Sequence, residues 1–213
     1  MGTASNVTTG KPSKVSGWVH VAPKGTTLPT STTESLDSSF LDLGYISDSG
    51  VVNSNSPSYD TVNAWGGDPV LRMLTEKGDT FQFTLLEVLN VNVLKTVYGE
   101  ENVTISEGGA ISIKANSEEM DPMTYVFDML LRGNVKKRIV LPSAVLTELG
   151  DITYADSNAV AYEVTLGCES DESGNTHYEY IGEDKTAAEA ESQSLVTDET
   201  ISVAEEKTAD SEE

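Results

Sequence analysis

The chain has 213 residues, enough for one well-filled core with appendages, and its apolar fraction of 38% is low for a compact monomer, so arms or partner-covered surface are expected. Its 13 Lys and Arg against 35 Asp and Glu give a formal charge of −22, which excludes adhesion to nucleic acid, because phosphates must be met by cations. One cysteine, Cys168, and two histidines exclude a disulfide framework and a Cys/His zinc cluster.

The opening MGTASNVTTG has no apolar stretch of the kind an export signal needs, and no window approaches about 18 apolar residues. A soluble protein made in the cytoplasm, with no membrane partner, is expected. Residues 1–16 are rich in Ser and Thr and read as an N-terminal arm, ordered only where something catches it. Gly17–Val21 (GWVHV) reads as a strand, after which Pro23, Gly25 and Pro29 forbid regular structure. His20 has no positioned nucleophile near it in sequence and reads as a packed strand residue, not a base.

Phe40–Ser47 reads as a strand and Asp48-Ser49-Gly50 as a hairpin turn feeding Val51 and Val52. Asn53–Gly67 (NSNSPSYDTVNAWGG) reads as a long polar loop anchored by Tyr59 and Trp65; loops of this length are uncommon unless functional or partner-bound. Val70–Leu74 is a strand and Lys77-Gly78 the next turn. In Asp79–Glu87, Phe81, Phe83 and Leu85 alternate with Thr80, Gln82 and Thr84, which is a half-buried strand. The period then lengthens. Leu86, Leu89, Val93 and Val97 recur at three- and four-residue steps, predicting a short helix that packs these four side chains on a sheet and ends at Tyr98, before Gly99. Its Val, Asn and Thr residues are poor helix formers, so it needs that sheet.

Val103–Ser106 and Ala110–Lys114 flank Gly108-Gly109 as a hairpin, and Met123–Leu131 pairs with Val135–Leu141 across Gly133-Asn134. Lys136, Lys137 and Arg138 form the one basic knot and are candidates for a subunit contact or a solvated strand face. Ser143–Gly150 is compatible with a helical turn or a strand. Ala159–Leu166 and His177–Ile181 form a hairpin, and Asp171–Asn175 between them is an acidic turn lacking the spacing of a calcium loop. Residues 183–213 hold 11 Asp or Glu and 2 Lys, net −9, with no Phe, Tyr or Trp; this acidic C-terminal tail is expected to be disordered.

Some eight to eleven short strands, roughly, and one helix predict a mainly β fold, an antiparallel β-sandwich or partial barrel with one flanking α-helix, over a body spanning 17–182. No phosphate cradle, nucleophile elbow, dinucleotide fingerprint or metal-binding motif is present, so no catalytic, cofactor-binding or metal residue is assigned and an enzyme is not expected.

The blocks GWVHVAPKGTTLPT, LDLGYISDSGVVNSNSPSYDTVNAWGGDPV, DTFQFTLLEVLNVNVLKTVYGEENV, YVFDMLLRGNVKKRIVLPSA and LGDITYADSNAVAYEVTL, in this order, resemble the major tail (tail tube) protein of long, non-contractile-tailed bacteriophages, from about Val15 to Ile181. The resemblance implies a virion structural protein, made in the host cytoplasm, that self-assembles into hexameric rings stacked into the tail tube. DNA would pass through the lumen without specific binding. Tape measure, tail terminator and distal tail proteins would be its other partners. It further implies that 53–67 is an inter-ring loop, with Tyr59, Trp65 and Asp68 as contact candidates. The acidic tail departs from many relatives. A second reading is a monomeric β-sandwich binding module of carbohydrate or adhesin type, which would need exposed, coplanar aromatic side chains.

Overall fold

The computed structural model describes residues 2–13 and 18–183; the rest of the acidic tail, from residue 184, lies outside the described residues, as do residues 14–16 of the arm. The described chain is mainly β, with antiparallel strands, one α-helix and no closed barrel. The strands are β1 (Gly10–Pro12), β2 (Val19–Pro23), β3 (Leu41–Asp42), β4 (Ile46–Asn63), β5 (Pro69–Leu85), β6 (Val103–Ile105), β7 (Ile111–Ile113), β8 (Met123–Leu131), β9 (Val135–Leu149), β10 (Tyr162–Cys168) and β11 (Tyr178–Glu183). Helix α1 is Val91–Tyr98. One sheet runs β3-β2-β8-β9-β10-β5-β4, with β1 added to β8 and β11 to β9, while β6 and β7 form a separate ribbon.

The sheet is strongly curled. Phe127 of β8 stacks on Phe81 of β5 at 5.7 Å and meets Phe83 edge-on at 5.4 Å. These strands are three steps apart in the sheet, which would separate them by about 14 Å were it flat at ~4.8 Å per step. The curl gathers Val19, Val21, Phe81, Phe83, Leu85, Tyr125, Ile139 and Leu166 into one core. Between β3 and β4 the chain crosses the open side of the curl: Leu43 N–H donates to the Val19 carbonyl and Leu86 N–H to the Tyr45 carbonyl. Gly44 makes this crossing possible. It has φ 73°, and a Cβ there would overlap the Glu87 carboxylate that receives Tyr45 N–H at 2.9 Å.

Helix α1 lies over the core, with Val93 and Leu94 buried beside Val97. Its start differs from the sequence expectation. Asn90 is the N-cap, its side chain accepting from Asn92 N–H at 3.0 Å, so Leu86 and Leu89 fall in the preceding turn, where Leu89 is 82% exposed and Leu86 is 37% exposed. Periodicity extended the helix one turn too far because a capping Asn interrupts it. The Gly99 end is as expected, with Gly99 N–H donating to the Lys95 carbonyl.

Over β8 and the first part of β9 the second face of the sheet is covered by the 24–40 connection. Arg138, 6% exposed, makes a two-pronged ion pair to Asp128 at 2.6 and 3.0 Å and donates to the Ser31 and Glu34 carbonyls. Beneath the same cover Val126 and Val140 are fully buried. Arg138 is therefore an internal clasp and not part of a solvated strand face, because its guanidinium is buried and taken up by Asp128 and two carbonyls. Lys137 pairs with Glu179 of β11 at 2.8 Å, and Lys136 is half-buried on the other face of β9.

Other elements depart from the sequence expectation. Asp48-Ser49-Gly50 is a bulge inside β4, with Gly50 at φ 74°, instead of a hairpin turn. Lys77-Gly78 lies inside the continuous β5. Strand β9 runs through Pro142 to Leu149, resolving the 143–150 segment as strand. Strand β11 pairs with β9, not with β10. The Gly10–Pro12 part of the N-terminal arm is caught on the edge of β8.

Two substitutions check where the helix packs. Val93→Asp puts a carboxylate into a site with no partner and is expected to cost about 3 kcal/mol or more in urea unfolding, whereas Leu89→Asp should stay within about 0.5 kcal/mol. Equal effects would contradict the helix boundary.

Candidate functional site

Strands β4 and β5 share the longest pairing in the molecule, Ile46 to Asn63 against Leu85 to Pro69. Only its first part belongs to the body. Pairing of β5 to β10 ends at Thr80 and Gly167, so Pro69–Asp79 is bonded to β4 alone. The two strands continue outward as a ribbon of about 30 Å, at ~3.3 Å per residue. The residues read from sequence as a loop, Asn53–Gly67, are thus mostly strand, closed by a tight turn. The turn is held by Ala64 N–H to the Asp68 carbonyl at 2.7 Å and Gly67 N–H to the Ala64 carbonyl at 3.0 Å. Gly66 and Gly67 supply its φ values of 115° and 99°, which side chains rarely tolerate.

The ribbon is apolar on both faces. Pairing sets Tyr59 beside Leu74 and Thr61 beside Arg72 on one face, and Asp60 beside Met73 and Val62 beside Leu71 on the other; a bulge between Ser58 and Tyr59 resets the alternation. Tyr59, Val62, Val70, Leu71, Met73 and Leu74 are all exposed by more than two-fifths, and Trp65 at the tip is fully exposed. A lone two-stranded ribbon is marginally stable in water, and apolar surface on this scale marks a contact site.

At the root, Asp79 is 2% exposed and holds three elements together. One carboxylate oxygen accepts from Asn53 Nδ2 of β4 at 2.8 Å; the other accepts from Thr176 Oγ1 at 2.6 Å and lies 2.6 Å from His177 Nδ1, just before β11. The His177 ring stands edge-on to Phe81 at 5.3 Å. Burial works to raise the carboxyl pKa, but the hydrogen bonds from Thr176, His177 and Asn53 outweigh it and hold the group below the usual Asp range. The Cys168 thiol nearby is pushed up to about 12 by burial and by the Asp79 charge, which favours the protonated form.

Of the residues singled out in sequence, Trp65 and Asp68 lie in the tip turn and Tyr59 midway along the ribbon, whereas Lys136, Lys137 and Arg138 lie on β9. The Asp79 cluster escaped sequence reading because residues 53, 79, 176 and 177 meet only after folding. Val70–Leu74 was legible as a strand, but its lack of a core was not. Among the described residues no group of three or more His, Cys, Asp or Glu is arranged to hold a metal ion, and no helix is long and apolar enough to cross a membrane.

A family model described as phage tail tube protein matches residues 13–192. No curated protein matches the chain.

Because the Asp79 pKa is depressed on folding, the stability it contributes is present above the unfolded value near 4 and is lost as pH falls through the lower folded value. Asp79→Asn turns a donor toward Asn53 or Thr176 and is expected to cost about 1–3 kcal/mol at pH 7. The gap between the two proteins in denaturant unfolding should narrow below pH 4; a gap independent of pH would show that the carboxylate charge is immaterial.

Proposed function

Since the chain belongs to the phage tail tube protein family, we propose that its copies close side by side into hexameric rings, that the rings stack into the tube of a virion tail, and that the ribbon formed by β4 and β5 joins one ring to the next. The role is structural and not enzymatic. The observation that carries this reading is the ribbon itself. Seven large apolar side chains, from Tyr59 to Leu74, stand on two faces that their own body does not cover, and copies of the same molecule would bury them.

Two further features support it. The curled sheet is unclosed, ending on β4 at one side and on β3 at the other, and lateral pairing of copies would remove such edges. On the sheet face turned away from the core, β5, β10 and β9 align Gln82, Thr165 and Glu148 in one row and Thr84 with Glu163 in the next. This stretch bears no lysine or arginine. We assign it to the lumen, where a polar and acidic wall lets DNA slide, because adhesion needs cations that displace condensed counterions. Tyr59, Trp65 and Asp68 are the proposed ring-to-ring contacts. Tape measure, terminator and distal tail proteins are its proposed partners at the ends of the tube.

Replacing Asn55–Lys77 by an Asp-Gly turn removes the ribbon and leaves every core residue in place. The shortened protein is expected to melt as the full chain does, and to give no tubes in negative-stain electron microscopy where the full chain gives them. Normal tubes from it would refute the role of the ribbon.

A further inference from the structure

The most exposed large side chain among the described residues, Trp65, stands on a rigid turn at the end of the ribbon and touches nothing of its own chain. An aromatic ring held away from its own body gains burial only from a partner, and such rings are the commonest anchors of contacts. The body offers one. Between α1, the 3-10 turn Glu100–Asn102 and the 118–121 segment lies a cavity of about 210 Å³. Leu41, Met120, Met123 and Leu146 line it, and Glu118 and Asp121 are at its acidic rim. We propose that this cavity receives Trp65 of a second copy, so that each molecule carries both the knob and the hole of the ring-to-ring contact.

Size, chemistry and symmetry each favour that occupant. A cavity of about 150 Å³ takes up benzene, so the space here suits a two-ring side chain. Methionine adapts its shape to an incoming ring and its sulfur makes favourable contacts with aromatic edges. The indole nitrogen is a donor without acceptor capacity, and the carboxylates of Glu118 and Asp121 are acceptors without donors. A knob and a hole at different places on one molecule form a head-to-tail contact, which propagates as a stack instead of closing as a pair. The seat is in the next copy and not in the same one, because Trp65 is fully exposed in the single chain.

This inference rests on the tube reading and is tested together with it. Of the two tryptophans Trp18 is buried, so a blue shift of emission on assembly reports Trp65. Wild-type protein should show that shift as tubes form. Ala64→Cys with Glu101→Cys, which leaves the ring and the acceptors intact, should give disulfide-linked ladders from oxidised tubes, while either single variant should not; a Cys168→Ser background removes the half-buried native thiol from the assay. Trp65→Ala should melt like wild type and raise the critical concentration for assembly at least about tenfold, the effect of losing a central aromatic anchor. Tubes that form without the shift and without ladders, or Trp65→Ala tubes at the wild-type concentration, overturn the seat while sparing the tube. A wild-type protein that builds no tube at any concentration overturns both.

Discussion

Beyond Thr80, β4 and β5 pair their backbones only with each other, and the rest of the molecule is arranged around that fact. The backbone groups of the ribbon are satisfied within the pair, but its side chains are not, since a two-layer core needs a third surface that a single chain does not supply. The ribbon mixes Thr, Ser, Asn and Asp with its apolar residues, which breaks up the apolar surface a single copy presents to water. The overall charge of −22 works in the same direction by repelling premature contact.

A projecting ribbon is useful only if its direction is fixed, and direction is set at the root. Asp79 does this with one buried carboxylate that ties β4 to the segment entering β11. A carboxylate suits the position better than an amide because all its neighbours approach as donors and it carries acceptors alone. The Arg138 clasp plays the matching part on the other side of the sheet, fastening the 24–40 connection over Val126 and Val140. Both are buried charged groups whose partners are fully specified, the condition under which burial of charge is tolerated. Curl, root and clasp together make a rigid body from a sheet that is unfinished at its edges.

In tail tube proteins this combination has a simple mechanical meaning. On the proposed reading, stiffness lies within each copy and adhesion on the ribbon and its seat, so identical units would add without refolding. The polar face of β5 and β10, proposed as the lumen wall, fits the same logic, because a surface without cations does not hold DNA.

Much of this was legible in the sequence. Strict alternation in Asp79–Leu85 and the apolar run Met123–Leu131 located two core strands, Gly108-Gly109 located the β6–β7 turn, and Gly99 located the end of α1. These are local signals, set by the period of the backbone and by the few residues able to take a left-handed turn. The composition showed the acidity, and the count of short alternating strands between turn residues showed the mainly β class. What the tertiary structure alone decided was non-local. Polar Asn53–Asn63 is a strand because β5 supplies its hydrogen bonds, not because its side chains ask for one. Arg138 turns inward because Asp128 and two carbonyls wait there, and Asp79 is a keystone because residues nearly a hundred positions apart converge on it. A pattern of side chains specifies which residues prefer a surface; which surface they meet is decided only when the chain has closed on itself.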